Sequence, residues 1–408
     1  MSARVIIESL GARGDGIARD GGRTLFLARA LPGDEVLLAA DGRIEAIIEP
    51  GPGRVEPPCK HYARCGGCAM QHAEAGLYRE WKRGLVSEAL RGAGIAAALP
   101  PLIDARGIGR RRLAAHIRRE GKTVSAGFMQ ARSHALADLD HCLVLEPALA
   151  RAFDIARSLG ETLAGLNKPL DAQITSTRGG LDVDLRGAGK LQDRERLALS
   201  DAAARLDLAR LSNHGDLIVM RKEPWLAMGR ARAIAPAGAF LQATEAGEQA
   251  LGGFALEALQ GAKRGADLFS GIGPFALRLA ERMSVAAFDS EKASVEALGA
   301  AARGAQGLKP LTAEARDLFR RPLLPKELEA FDCIVLDPPR AGAESQARQL
   351  ARASVPRAVS ISCDAASFAR DAAILIAGGY RLAEIRLYDQ FLYSAHVEIA
   401  ALFERKGK

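Results

Sequence analysis

A chain of 408 residues has room for two or three domains, each with its own apolar core. With 48% hydrophobic and 26% charged residues it has the balance of a folded globular protein, which excludes a mainly disordered or fibrous chain. A net charge of +7 favours a polyanionic partner without naming one, and no apolar run nears the roughly eighteen residues that span a bilayer. The N-terminus, MSARVIIESLGARGDG, lacks the apolar stretch of a signal peptide, so a cytoplasmic protein with no membrane partner is expected, and a monomer. Six cysteines are too few for a disulfide scaffold. Three of them crowd between positions 59 and 68, which points to metal or redox chemistry.

Residues 1–52 hold short apolar runs (RVIIESL, TLFLA, DEVLLAA, RIEAIIE) separated by glycines, the rhythm of a five-stranded, OB-like β-barrel. Over residues 1–50 six arginines face eight acids, so most phosphate-facing charge must lie elsewhere in the chain or on one face of this barrel. The hinge EPGPGRVEPP (Glu49–Pro58) marks a boundary, and residues 53–235 read as a central mixed α+β domain. That domain opens with a helix over about Ala73–Gly92 and continues with strand-like pieces (TVSAGFM, AQITSTR, LDVDLR, GDLIVM). The arginine-rich run GRRRLAAHIRRE (Gly109–Glu120) reads as helical; Arg111, Arg112 and Arg118 either contact phosphates of a polyanionic partner or line a solvated helix face. From 236 to 408 strands and helices alternate, which implies a largely parallel α/β sheet with covered faces, closed by an antiparallel hairpin around DQFLYSA.

Four strand ends in that last domain carry groups suited to chemistry. The segment DLFSGIGPF (Asp267–Phe275) places Gly271 and Gly273 in a strand-to-helix turn, where glycine lets a ligand approach the backbone. The next strand ends at Asp289, about twenty residues on, where a carboxylate can accept hydrogen bonds from a ribose. The missing third glycine and a further acid at Asp317 favour S-adenosylmethionine over a nicotinamide cofactor. Asp337 ends a fourth strand in IVLDPPRAG, where two prolines stiffen the backbone; Arg340, in place of an aromatic, argues against methylation of an exocyclic amine. Cys363, in SISCDAASFARD, follows a fifth strand and precedes a helix whose dipole can lower a thiol pKa, so it is a candidate nucleophile. Cys333, inside a strand, reads as an ordinary buried thiol. Glu398 starts the last strand, in DQFLYSAHVEIA, where partial burial would raise its pKa into the range of a base. Cys59, Cys65 and Cys68 (CKHYARCGGC) with Cys142 make four thiolates that can hold a [4Fe-4S] cluster or a structural Zn²⁺, and spacing alone does not separate the two.

Together these residues resemble the RNA 5-methyluridine methyltransferases, specifically the iron-sulfur ribosomal RNA uracil-5-methyltransferases of the RumA/RlmD type. The likeness covers nearly the whole chain: GDGIARDGGRTLFLARALPGDEV looks like a TRAM domain, and FLQAT, DLFSGIG, LDPPRAG, SCDAASFARD and FLYSAHVE stand in the family's order. The resemblance implies a class I, Rossmann-like catalytic domain that transfers a methyl group from S-adenosylmethionine to carbon 5 of a uridine in 23S ribosomal RNA. It implies that Cys363 adds to carbon 6 of the ring and that Glu398 removes the proton from carbon 5. Gln242, Phe269, Gly271, Gly273, Asp289, Asp317 and Asp337 would line the donor and base pocket, and Cys59, Cys65, Cys68 and Cys142 would hold [4Fe-4S]. The chain departs from the family pattern at Asp364, Ala365, Thr244 and Ser270. A transfer-RNA T-loop target and a catalytically inactive, RNA-binding iron-sulfur protein are the alternatives.

Overall fold

The computed structural model describes residues 3–163, 165 and 168–405. The N-terminal module has six strands in two three-stranded sheets, one more than the five expected. The extra strand comes from the first apolar run, which divides at Ile7. Ala3–Ile6 pairs with Glu35–Leu38, whereas Ser9–Leu10 pairs with Gly16–Asp20. Val5, Ile7, Ala18, Leu27, Val36 and Leu38 fill the space between them. The hinge that follows is pinned back on this module, because the buried Asp34 carboxylate accepts from Gly51 N (2.8 Å) and Arg54 Nε (2.9 Å).

The central sheet has seven strands, in the order Leu136–Asp138, Thr123–Met129, Arg112–Glu120, Leu170–Thr177, Gly180–Arg186, Leu208–Asn213, Asp216–Met220. Helices Ala152–Thr162 and Asp193–Arg205 contribute to its apolar core. The run GRRRLAAHIRRE lies in this sheet as a strand, not a helix. Leu113, Ala115 and Ile117 alternate inward, a period of two that places them in the core. The helix-forming Ala, Leu and Arg of this run yield to pairing on both sides, since intrinsic propensity is worth only tenths of a kcal/mol per residue against burial of a whole strand face.

The third unit is an eight-stranded sheet in the order Leu311–Ala315, Ser284–Asp289, Arg264–Leu268, Cys333–Leu336, Arg357–Ser362, Glu398–Arg405, Tyr380–Asp389, Leu102–Asp104. The first five strands are parallel, and Glu398–Arg405 runs antiparallel to both of its neighbours. Arg264–Leu268 and Cys333–Leu336 are adjacent but feed connections in opposite directions along the sheet, and this is where an open α/β sheet forms its crevice. One outer strand, Leu102–Asp104, comes from the stretch assigned by sequence to the central domain. The helix Ala75–Gly92 comes from there too, and its Val86 and Leu90 join one face of this sheet's core beside Leu268, Leu336 and Phe368. The boundary expected at 235 therefore cuts through a single packed unit. The first strand of the unit is three residues long, too short to show a periodic pattern.

Candidate active site and cysteine cavity

Three groups meet at one end of the eight-stranded sheet because of strand direction. Asp337 and Cys363 directly follow the parallel strands Cys333–Leu336 and Arg357–Ser362. The antiparallel strand Glu398–Arg405 pairs Ile399 with Ser362, so its first residue, Glu398, arrives beside the last residues of its neighbour. Glu398 is 3% exposed, and burial raises its carboxyl to about 7, against opposing pulls from the Gln390 amide and the Lys82 ammonium. Burial, together with Glu398 and Asp267, holds Asp337 well above the usual carboxylate range. The Cys363 thiol is pushed up to about 11 by burial and by the nearby Glu398 and Asp337 carboxyls, with Arg340 opposing. The thiol does not fall as expected from the helix Ala365–Ala377: burial is the largest cause of its rise, and the Glu398 and Asp337 carboxyls add to it. A thiol beside a carboxyl that exchanges protons near neutrality, Glu398, can add to an electron-poor ring and later be released from it.

An amide chain ties the carboxyls together. Gln242 Nε2 donates to Asp337 Oδ2 (3.1 Å), and Gln390 Nε2 donates to Gln242 Oε1 (2.7 Å). Thr244 N donates to Gln390 Oε1 (3.3 Å), which fixes the orientation of both amides. Thr244 also caps the helix Glu245–Ala258, accepting from Gly247 N (2.9 Å), so its departure from the family pattern falls on a structural position.

The crevice beside this floor is built by the glycine turn. Gly271 N donates to Asp289 Oδ2 (2.8 Å), and Glu291 N donates to Asp289 Oδ1 (2.8 Å), so the acid that ends the second strand organises both loops. Gly273 has φ 91°, and a Cβ there would lie 2.3 Å from Leu298 Cδ1; no other residue fits. Phe269 adopts φ 66° and its ring meets Phe319 at 5.4 Å, next to Asp317, whose Oδ1 accepts from Phe319 N (3.0 Å). Beneath the turn, the buried Asp267 Oδ1 and Ser270 Oγ have no hydrogen-bond partner among the described residues. Burial raises Asp267 to about 8. Unpartnered polar atoms under a strained glycine turn fit a polar ligand seated above them.

Cys59, Cys65, Cys68 and Cys142 line one cavity of about 310 Å³, with Arg110, Phe128, His141 and Leu143 around it. Cys68 is pushed up to about 12 by burial and, against a hydrogen bond from Gln71, by the other three thiols; Cys65 and Cys142 are raised too. Four sulfurs that oppose one another's ionisation are the donor set a metal centre would neutralise, so these residues fit one. The turn between Cys65 and Cys68 needs glycine, since a Cβ on Gly66 would lie 2.7 Å from Met129 O. Beside the cavity Asp140 joins Lys60, His61 and His141.

The proposed phosphate contacts fare differently. Arg111 is 4% exposed, pairs with the buried Glu248 and donates to Gln242 O (3.0 Å), so it supports the pocket from behind and is not available to RNA. Arg112 lies 5.8 Å over the ring of the exposed Phe240, and Arg118 donates to Ile117 O (2.9 Å). Sequence reasoning missed Gln390, Lys82 and Asp389. Lys82 was within reach: Tyr78, Lys82, Val86 and Leu90 recur at every fourth residue of the helix, which places a lysine on its buried stripe.

A sequence profile of the tRNA (Uracil-5-)-methyltransferase family matches residues 232–406. An uncharacterised RNA methyltransferase of Brucella suis is 42% identical over 99% of this chain and 98% of its own length. The chain belongs to the RNA (uracil-5-)-methyltransferases. Another similar member of the family, the 23S rRNA (uracil(1939)-C(5))-methyltransferase RlmD of Pectobacterium atrosepticum, is 31% identical over 98% of this chain and 93% of its own. The solved tRNA (uracil-54, C5)-methyltransferase of Pyrococcus abyssi superposes with a TM-score of 0.72, covering 99% of this chain and 100% of that one at 21% identity. This likeness extends the shared fold over the whole chain, and the eight-stranded sheet with its crevice is that of a class I methyltransferase.

Proposed function

We propose that this RNA (uracil-5-)-methyltransferase acts on a uridine of 23S ribosomal RNA by a covalent route, with Cys363 as nucleophile and Glu398 as base. The observation that carries the reading is the meeting of Cys363, Asp337 and Glu398 at adjoining strand ends, beside a crevice shaped for a polar ligand. S-adenosylmethionine, the donor assigned to the crevice of Phe269, Gly271, Gly273, Asp289, Asp317 and Gln242, supplies an electrophilic methyl group. Carbon 5 of uracil is too weak a nucleophile to take it unaided. Sγ of Cys363 gives its proton to solvent as it bonds to carbon 6, which moves the ring electrons toward carbon 5 and a carbonyl oxygen. Asp337, held protonated, donates a hydrogen bond to that carbonyl as charge develops. Once carbon 5 carries the methyl group, the Glu398 carboxylate takes its remaining proton. The carbon 5–carbon 6 double bond re-forms, and Sγ leaves as thiolate.

The target base must leave its stack to reach a floor this deep, which costs least in a single-stranded loop. Half-buried Arg112 lies over the ring of the exposed Phe240, two residues before Gln242. The sequence identity of 31% to a 23S ribosomal RNA enzyme, against 21% to a transfer-RNA one, supports the ribosomal substrate. Cys59, Cys65, Cys68 and Cys142 would hold [4Fe-4S], whose part here is to fix the loop structure around the cavity.

The test is incubation with a 5-fluorouridine RNA. Carbon 5 then carries fluorine, the base has no proton to take, and a gel-stable protein–RNA adduct at Cys363 is expected. Failure to form the adduct with enzyme that methylates ordinary RNA would overturn the covalent route. Mapping 5-methyluridine in ribosomal and transfer RNA from cells lacking the protein decides the target, and loss confined to the T-loop would reassign it.

A further inference from the structure

Helix Ala75–Gly92 places a lysine inside the protein, under the active site. The Lys82 side chain is fully buried, and its Nζ lies 2.6 Å from Asp389 Oδ1 and 3.1 Å from Phe391 O. Tyr78, one turn earlier, donates to Asp389 Oδ2 (2.7 Å) and accepts from Tyr393 N (3.0 Å). Asp389 Oδ1 also accepts from Phe391 N (3.2 Å). These bonds grip the first half of a short segment, residues 390–397, that links the last two strands. Tyr393 within it holds φ 62°, and its carbonyl accepts from Ala69 N (2.8 Å) and Met70 N (3.2 Å), directly after the last cysteine of the CGGC turn. Gln390 starts this segment and Glu398 follows it.

A lysine with no exposure is costly to bury, and an apolar side chain of similar volume would cover Asp389's surroundings if that acid were absent as well. The pair therefore calls for a reason beyond stability. We infer that Lys82 is a positioning residue for methyl transfer: through Asp389 it fixes the segment that presents Glu398, and with Gln390 it keeps the Glu398 carboxylate ionised to receive the carbon 5 proton.

The charges around Glu398 support this. Asp337 and Cys363 face it from the two neighbouring strand ends and gain no stability from its ionisation, while Asp389 shares the lysine. His396, on the same segment, is turned to Arg340 at 2.9 Å. Against burial and these neighbours, Lys82 and the Gln390 amide are the groups that favour the carboxylate. Burial pulls Lys82 down, with Asp389 and Glu398 opposing.

The inference rests on Glu398 being the base, and the experiment separates the two. A substrate RNA carrying tritium at carbon 5 of the target uridine reports the Glu398 step as tritium released to water, and methyl incorporation reports the steps before it. In the parent enzyme release keeps pace with incorporation. With Lys82→Met, release should lag at acid pH and catch up in alkali, its half-point rising by about one pH unit, with KM for RNA unchanged. Lys82→Arg should restore the parent profile. Gln390→Met leaves no buried charge unpaired, so it tests the same idea in a folded protein and should move the half-point the same way by less. An equal fall in release and incorporation at every pH would make Lys82 only structural and overturn the inference. If Glu398→Gln itself releases tritium in step with methyl transfer, the base assignment fails. If Glu398→Gln traps a methylated adduct while Lys82→Met and Gln390→Met keep the parent profile, only the present inference fails.

Discussion

The molecule holds the same functional group in two settings, and the contrast shows what a thiol's neighbours make of it. Cys363 and the four cysteines of the cavity are all partly buried, and burial raises Cys363, Cys65, Cys68 and Cys142 alike. What differs is the next neighbour. Around Cys363 stand Glu398, raised by burial to about 7, and Asp337, held well above the usual carboxylate range; around Cys68 stand three more sulfurs. A sulfur among carboxyls is set for bond making and breaking with protons moving beside it. Sulfurs among sulfurs are set for a shared cation.

Exchanging the roles should break that contrast. Cys363→Ala should abolish methyl transfer and adduct formation while leaving the metal content of the cavity intact; residual turnover would sink the covalent route. Glu398→Gln should lower turnover by about 10²–10⁴-fold and let the methylated adduct accumulate on a denaturing gel. Because burial places Glu398 at about 7, it is a carboxylate above that pH and protonated below it. The rate of tritium release should therefore fall as pH drops through 7, and an alkaline optimum with no such limb would remove Glu398 from the step.

In the cavity, protein purified without oxygen should carry iron and absorb as an iron-sulfur protein. Cys68→Ala should lose that absorbance and melt at lower temperature, yet keep Cys363 able to form some adduct. Stoichiometric zinc without iron would replace the cluster by a structural zinc. Smaller effects should separate the arginines. Arg111→Ala removes one of two cations from the buried Glu248 and should cost about 3 kcal/mol in chemical denaturation. Arg118→Ala should change stability by less than about 0.5 kcal/mol. If Arg118 meets a phosphate, the salt slope of RNA binding should drop by about one, and an unchanged slope would leave it a solvated strand residue.

Much of this site was legible because strand ends are marked in sequence. Asp289, Asp337, Cys363 and Glu398 each close or open an apolar run, and the structure places all four at one edge of the sheet. What escaped the sequence lay in tertiary pairing. The arginine-rich run has the composition of a helix, and only the alternation of Leu113, Ala115 and Ile117 betrays its strand. The expected fall in the Cys363 pKa follows from the helix beyond it, but the burial that raises it, and the carboxyls that add to the rise, come from tertiary packing of strands distant in the chain. Gln390 and Asp389 sit in DQFLYSA, where nothing local distinguishes a supporting amide from a turn residue.

The short outer strand Leu102–Asp104 and the helix before it mean that the methyl-transferring half cannot be excised by cutting at residue 236. A fragment starting there would expose the backbone of Leu387–Asp389 as a bare edge, strip Val86 and Leu90 from an oily face, and leave Asp389 without its cation. Such a piece should clump with its own copies, so the two ends of this gene can diverge only in step.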